Sequence, residues 1–553
     1  MNALLALLPL LPGVLAILAL AGRIAARGVT VGVLVTALLA ILVAALNPGP
    51  LELPWLLLDT TLATDATGAP LLVAAALLWV AAATSARSLF AGDGGALFAS
   101  CFLFTFAGNL GVLIAQDVAA FYLFFAVMTF AAYGLVIHDR TREAVRAGRI
   151  YLVLAVAGEC LLLSGFFLLA AEAGNPVAAD MDRVYADLER AGLVGGLFLA
   201  GFAVKMGLIP VHVWLPLAHP TAPVPASAVL SGIIVKGGLL GWLRFLPEAE
   251  PALAAAGDTL AAVGLASAFL AALVGCFQKR AKTVLAYSTI SQMGLLAVPV
   301  GLLIAGRGEA PVLLAVIAVF ATHHALAKGA LFLAMDHIKA GGRAMAMVMV
   351  LPALAIAGAP VTSGLVAKAA VKSAVPDPLP LLITFTSVTT TLLLARFLVL
   401  AWPSGAKNAG AIARVAIAAW LLVIAAGQLL PWTLAGPAGR AYAFQAGALW
   451  DAVWPLALGI GGAVLAARML RPWRVLPEGD IVVPVERGVI GAYAAAVRAA
   501  TALSARRPAL PQDIPWRQLA GRLLPHREPD IPWVGVQMLV LVLLLSVIYL
   551  LAG

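Results

Sequence analysis

Five lysines interrupt apolar stretches of the sequence: Lys205, Lys236, Lys328, Lys368 and Lys372. A lysine near the midplane of a bilayer costs about 3 kcal/mol or more unless it is paired or hydrated, and such residues usually mark a path for ions or protons. One such lysine could have a purely structural origin. Five of them over four apolar stretches favour a proton relay.

Two neighbouring histidines add a group that titrates near neutral pH. His323 and His324 lie in the segment ATHHALAKGALFLA, and Lys328 follows His324 by four residues. At this spacing His324 and Lys328 share one face of a helix. A histidine that only bonds a backbone carbonyl in the core is the structural alternative, but the neighbouring lysine favours a relay.

A lysine that carries protons needs a carboxylate whose distance from it can change, because a nearby negative charge stabilises the ammonium form. Glu159 is the acidic residue that we interpret as lying deep in an apolar stretch, one helix before Lys205. An ion pair between the two is expected, with a protonated core glutamic acid as the alternative. Lys368 and Lys372 are also four residues apart, so we expect one of them to be neutral or to reach water.

The composition is that of a membrane protein. Of 553 residues, 63% are hydrophobic and 11% are charged, whereas a soluble domain has about 25% charged residues. A spanning helix needs about 20 apolar residues. Sixteen stretches meet this need: about 2–20, 29–46, 70–86, 96–114, 117–137, 149–171, 191–212, 225–246, 257–277, 283–304, 310–334, 346–373, 379–402, 411–430, 447–468 and 533–551. No long polar segment remains for a soluble catalytic domain, and the first stretch is interpreted as a retained helix.

The net charge of +9 is arranged in alternate loops. Basic residues cluster in loops such as 140–149, 279–282 and 468–474, and acidic residues cluster in the intervening loops 172–189 and 248–258. Because basic loops stay on the cytoplasmic side, this pattern predicts a multi-pass protein of the inner (cytoplasmic) cell membrane. The bilayer is therefore the expected surrounding, and nucleic acid is not an expected partner.

Cofactor and metal sites are not expected. Cys101, Cys160 and Cys276 are isolated in apolar stretches and are interpreted as small core residues. The chain also lacks a glycine-rich nucleotide motif after a strand. Redox catalysis is therefore expected in other subunits, if it occurs at all.

Two blocks of five predicted helices resemble each other, and each has a Pro/Gly-rich break in its fourth helix, GLIPVHVWLP in the first and AGAPVTSG in the second. An odd number of helices inverts the second block, and inverted repeats with interrupted helices are typical of transport proteins. The predicted fold is an all-α integral membrane protein with about 14–16 transmembrane helices and two inverted five-helix repeats. The predicted divisions are N-terminal helices (1–95), the first repeat (96–246), the second repeat (257–402), C-terminal core helices (403–468), a cytoplasmic amphipathic segment (469–532, with an interfacial helix at 485–507) and a terminal anchor (533–553).

Four segments carry a family resemblance: FAVKMGLIPVHVWLPLAHPTAPVPASAVLSGIIVKGG, KRAKTVLAYSTISQMG, HHALAKGALFLA and GAPVTSGLVAK. Over about 96–400 the chain resembles the antiporter-like subunits of respiratory complex I, Mrp-type cation/proton antiporters and membrane-bound group 4 hydrogenases. The resemblance implies proton translocation along a central polar axis. It also implies that Lys205 is the central lysine of the first half-channel, that Lys236 bridges the halves, and that Lys368 is at the exit. His324 and Lys328 match the centre of the second half.

One residue departs from the family pattern. Ala126, in FYLFFAVMTFAAYGLV, stands where the family usually has a glutamate, and Glu159 on the next helix is the nearest replacement. The resulting expectation is a proton-translocating subunit among other membrane subunits, related to NADH:quinone oxidoreductase or a group 4 hydrogenase.

Three alternatives stay open. The first is a Mrp-type subunit that exchanges sodium for protons. The second is the membrane partner of a proton-driven uptake system for inorganic carbon. The third is a scaffold that has lost transport.

Overall fold

The computed structural model describes residues 2–403, 414–469, 476–478 and 488. Residues Met1–Glu478 form one compact unit. The predicted interfacial helix at 485–507 and the predicted anchor at 533–551 lie outside the described residues.

The N-terminal region consists of spanning helices with a small hairpin between the second and the third. Its elements are α1 (Ala3–Leu20), α2 (Ala26–Leu46), β1 (Leu51–Leu53), β2 (Thr60–Leu62), α3 (Gly68–Ser85) and α4 (Arg87–Ala91). The two strands pair antiparallel, with Leu51 opposite Leu62. Two isolated antiparallel bridges, Leu62 to Ala115 and Asp117 to Val177, are the other β-type pairings in the described part of the chain.

Side chains cap the second and third helices of the first block. Asp117 accepts a hydrogen bond from the backbone N–H of Ala120 at 2.8 Å, and Thr141 accepts one from Ala144 at 3.1 Å, which satisfies N–H groups that a helix start leaves open. The helices are α5 (Gly95–Ile114), α6 (Val118–Val136), α7 (Arg142–Ala173), α8 (Met181–Asp187), α9 (Ala191–Met206), α10 (Trp214–Thr221), α11 (Val224–Val229) and α12 (Lys236–Phe245). A π-helical turn, Leu230–Ile234, joins α11 to α12 in one span.

The second block contains five helices, and three further helices follow. They are α13 (Ala254–Cys276), α14 (Ala281–Ile304), α15 (Ala310–Ala357), α16 (Ser363–Ala374), α17 (Leu379–Ala401), α18 (Arg414–Leu434), α19 (Gly436–Ala443) and α20 (Ala446–Met469). In the first block α5 packs against α6, and in the second block α13 packs against α14. The inverted repeats and their boundaries stay a prediction.

Thirteen helices in the described residues are long and apolar enough to cross a membrane. Sixteen were predicted, and the sixteenth lies outside the described residues. The predicted span 191–212 is only a 16-residue helix, Ala191–Met206, because Gly207 adopts φ +68° and ends it. The predicted span 346–373 divides at Gly358 (φ +88°), and its first part joins α15 across a bend at Gly342. The all-α membrane fold is confirmed, and the breaks predicted in both blocks are present.

The most deeply buried spans are the one that closes the first block and α14, the second helix of the second block. In the most apolar 18 residues of each span, the share of buried residues is 100% for α14 and 94% for the α11–α12 span. The corresponding share for α20 is 22%. These inner helices are also rich in polar side chains, which can be buried only when they are hydrogen-bonded or hydrated.

A buried arginine fixes the end of α12 against α5. Arg244 donates to Asp65 at 2.9 Å and to the carbonyls of Val112, Leu113 and Ala115 at 2.6–2.8 Å. Burial raises the pKa of the Asp65 carboxyl, but the Arg244 charge and the hydrogen bonds from Gly68, Gln116 and Arg244 together outweigh burial, so the pKa lies below its ordinary value. The pair ties the polar end of α12 to the last carbonyls of α5, which a helix leaves without partners.

Candidate proton path

The two blocks meet at a contact between a lysine and a histidine. Lys236 begins α12 and His324 lies within α15, and both side chains are fully buried. The Lys236 Nζ atom is 2.6 Å from the His324 Nδ1 atom and also donates to the backbone carbonyl of Ser231 at 3.1 Å. A proton shared between these groups would pass from one block to the other.

Glycines allow the close approach that this contact needs. A Cβ atom at Gly232 would lie 3.0 Å from the carbonyl oxygen of Ala325, and one at Gly238 would lie 2.7 Å from that of Phe202. The first glycine lets the span that carries Lys236 reach α15, and the second lets it reach α9. The π-helical turn before Lys236 fits this location, because such turns are frequent at functional sites.

Lys205, at the end of α9, is enclosed between α6 and α7. Its Nζ atom donates to Thr129 Oγ1 at 2.8 Å and lies 5.1 Å from the centre of the Phe125 ring. Glu159 lines the same cavity, which has about 300 Å³ of empty volume. Both Glu159 carboxylate oxygens are buried without a hydrogen-bond partner. Glu159 and Lys205 thus line one cavity, but the direct ion pair that the sequence predicted between them is not formed in the structure.

Ala126 also belongs to the α6 face that borders this cavity. Tyr122, Ala126 and Thr129 are spaced by four and three residues, so they follow one stripe of α6. Thr129 lines the cavity, and Tyr122 interacts electrostatically with Glu159. A side chain at position 126 would therefore extend towards the space that Glu159 and Lys205 share.

In the second block, the lysine and histidine side chains each have a polar partner on another helix. Lys328 donates to the carbonyl of Leu285 in α14 at 3.0 Å, and His323 Nδ1 lies 2.9 Å from Ser363 Oγ at the start of α16. Lys236, His323, His324 and Lys328 are all 0% exposed. They therefore lie inside the protein and do not face lipid.

Lys368 lies beside the break between α15 and α16. Its Nζ atom donates to the carbonyl of Ala357, the last residue of α15, at 3.1 Å, and to Ser387 Oγ in α17 at 3.0 Å. The broken helix thus presents a carbonyl from its negative end to the ammonium group. Gly358 can hold the required φ of +88° because it has no Cβ.

Lys372 has a partner that the sequence interpretation missed. Its Nζ atom is 2.8 Å from Asp451 Oδ2, on α20. Asp451 lies five residues into that helix, inside the predicted span 447–468, so Glu159 is not the one carboxylate within the apolar stretches. The expectation that Lys368 or Lys372 would be neutral or reach water was incomplete, because a counter-ion for Lys372 was available.

Further buried polar atoms accompany these groups. In the described part of the chain, side-chain atoms buried without a hydrogen-bond partner belong to Glu159, His219, Ser288, Gln292, Thr322, His323, His324 and His337, among others. Buried polar atoms of this kind are where internal water usually binds. Lys205 and Lys236 have different partners, although α9 and α12 pack together. Any transfer between them would need such water.

Comparison with known proteins identifies the architecture. A family model described as "NADH:quinone oxidoreductase/Mrp antiporter, TM" matches residues 115–393, just over half of the chain. Hydrogenase-4 component B of Escherichia coli (strain K12) is 30% identical over 291 residues, which are 51% of this chain and 43% of that protein. The chain thus spans less than half the length of this curated relative.

Two solved structures share the fold. A chain of the membrane-bound sulfane sulfur reductase, an archaeal respiratory membrane complex, matches with a TM-score of 0.68 and 21% identity, covering 82% of this chain and 99% of that one. A chain of the Mrp complex from Dietzia sp. DQ12-45-1b matches with a TM-score of 0.74 and 22% identity, covering 99% of this chain and 63% of that one. With the family match, these likenesses show that the chain is a multi-pass, antiporter-like membrane protein of the NADH:quinone oxidoreductase/Mrp antiporter family.

Proposed function

We propose that this chain carries protons across the membrane as one subunit of a multisubunit complex. The observation that carries the proposal is the buried contact of 2.6 Å between Lys236 and His324. Two basic groups at hydrogen-bond distance can share one proton but strongly disfavour two. This contact would therefore pass charge between the blocks one proton at a time.

The proposed path has a polar group at each stage. Lys205 and Glu159 would load the first block through their common cavity. Lys236 and His324 would connect the blocks, and Lys328 and His323 would continue the path within α15. Lys368 would receive the proton at the break before α16. Water at the unpartnered buried atoms would bridge the remaining gaps.

The partners and the location belong to the same proposal. The two structural neighbours are chains of membrane complexes by their titles, which supports other membrane subunits as partners of this chain. The pattern of basic loops supports the inner cell membrane. An oxidoreductase that drives the pump is the first candidate complex, and a sodium/proton antiporter is the second, supported by the Mrp likeness over 99% of this chain.

The test is proton transport by the intact complex in everted membrane vesicles, followed with a pH-sensitive dye. Lys236→Met keeps most of the length of the side chain and removes its charge, so we expect at least about a tenfold loss of proton flux with the complex still assembled. The exposed Lys339→Met is the matched control and should transport normally. Wild-type flux in Lys236→Met would refute the proposed path.

The same vesicles separate the two candidate complexes. Proton release from the vesicles that starts when sodium is added outside and needs no electron donor would identify an antiporter. Uptake that starts only with a redox substrate would identify a driven pump. The subunits that copurify with the chain provide an independent answer.

A further inference from the structure

Asp451 lies outside the region that defines the family, since the family match ends at residue 393. It is nevertheless paired with a buried lysine of α16. Its Oδ2 atom is 2.8 Å from Lys372 Nζ, and the exposed fractions of the two side chains are 41% for Asp451 and 8% for Lys372. One partner of this ion pair therefore lies at the surface of the chain, and the other is buried.

A cavity connects this pair to the end of the proposed path. It has about 270 Å³ of empty volume, and its polar lining consists of Lys368, Lys372, Thr384, Ser387 and Asp451. Lys368 and Lys372 are four residues apart and so face the same side of α16. Asp451 is the carboxylate in that lining, and its side chain lies at the surface of the chain.

The order of the helices gives the membrane side. α17, α18 and α20 cross the membrane in turn, so the end of α16, the start of α17, the end of α18 and the start of α20 lie on one side. Asp451 is five residues after Ala446, which places it about 8 Å from that end of α20. The loops on this side, 375–378 and 435–445, contain one basic residue, Arg440, which fits the outer side.

We propose that Asp451 is the outlet carboxylate through which protons leave the second block on the outer side of the membrane. The inference rests on the proposed proton path and extends it to α20. A proton moves from the Lys372 ammonium to the Asp451 carboxylate, which leaves a neutral amine and a neutral acid. Asp451 then releases the proton to water, and Lys372 regains one from Lys368 through the cavity.

Removing the charge of Asp451 tests this step in the intact complex. Asp451→Asn keeps the size of the side chain but cannot accept the proton, so flux should fall at least about tenfold. Asp451→Glu keeps the carboxyl group and should retain most of the flux, which a purely structural contact would not require. The exposed Asp377→Asn, in the loop after α16, is the matched control and should transport normally.

The variants separate this proposal from the proposed function. If Asp451→Asn transports like the wild type while Lys236→Met does not, the outlet is refuted and the path stands. If both transport like the wild type, the proposed function fails as well. Loss of flux in both Asp451→Asn and Asp451→Glu would also count against an outlet role.

A second measurement does not depend on transport. In a background without the three native cysteines, Asp451→Cys should react in intact cells with a membrane-impermeant thiol reagent added from outside. Lys372→Cys, almost fully buried, should react much more slowly. No labelling at position 451 from the outer side would overturn the outlet.

Discussion

At the scale of single residues, the chain pairs its buried lysines with unusual partners. Three of the five donate to backbone carbonyls, those of Ser231, Leu285 and Ala357. Carbonyl dipoles stabilise an ammonium without carrying a full charge, so the lysine can still lose its proton. Lys205 and Lys372 instead lie near carboxylates, at the two ends of the proposed path.

The carboxylate near Lys205 leads to a residue-scale prediction. Glu159→Gln should lower proton flux at least about tenfold, because a loss of about 1.4 kcal/mol in stabilising the protonated lysine changes a transfer rate tenfold. Ala126→Glu in the same background should restore part of the flux, since position 126 lies on the α6 stripe that borders the cavity. The measurement is dye-detected uptake by vesicles that contain the assembled complex.

The matched control for this pair is Glu172→Gln, an exposed carboxylate on the same helix. It should leave the flux unchanged. Normal flux in Glu159→Gln would remove Glu159 from the path. Failure of Ala126→Glu to restore any flux would show that the cavity does not accept a carboxylate from α6.

At the scale of helices, the path depends on breaks that place helix ends inside the membrane. α15 ends at Ala357 and α16 starts at Ser363, and the two ends are packed tightly together. A Cβ atom at Gly364 would lie 1.7 Å from the carbonyl oxygen of Ala355. Backbone cannot move away as a flexible side chain can, so this glycine sets how closely α16 approaches α15.

Gly364→Ala should therefore separate the two half-helices. We expect a destabilisation of about 3 kcal/mol, the upper end for overpacking a core, and a loss of flux because Lys368 would move away from Ala357 and Ser387. Gly461→Ala is the control, because a Cβ atom there meets nothing within 4 Å. It should be neutral or slightly stabilising in a helix. Thermal unfolding of the purified complex in detergent gives the comparison, and equal melting temperatures for both variants would contradict it.

The sequence predicted the helices better than their partners. Apolar length located the spans, and Pro/Gly clusters located the breaks at Gly207 and Gly358, because both signals are local. The contact between Lys236 and His324, 88 residues apart, depends on how the blocks pack, which no local pattern encodes. Asp451 was missed for a similar reason. Its position in an apolar stretch is visible in the sequence, but its contact with Lys372, 79 residues earlier, is not.

At the scale of the whole molecule, the loops at the two ends of the spanning helices differ in charge. Basic clusters fall at one end of the helices and acidic clusters at the other, and the lysines and histidines of the proposed path lie between them. Such an arrangement determines orientation, because lysine and arginine in short loops resist translocation. The direction of the proposed outlet at Asp451 depends on this orientation.

The orientation gives the last prediction. The loop before α15 contains the exposed Glu309, and the bend at Gly342 follows the exposed Lys339. The helical stretch between them crosses the membrane once, so the two positions should lie on opposite sides.

In a background without native cysteines, Glu309→Cys should react in intact cells with a membrane-impermeant thiol reagent, and Lys339→Cys should react only in everted vesicles. Each variant is the other's control. The opposite labelling pattern would invert the chain and place the Asp451 end on the cytoplasmic side, whereas labelling of both from one side would show that this stretch does not cross.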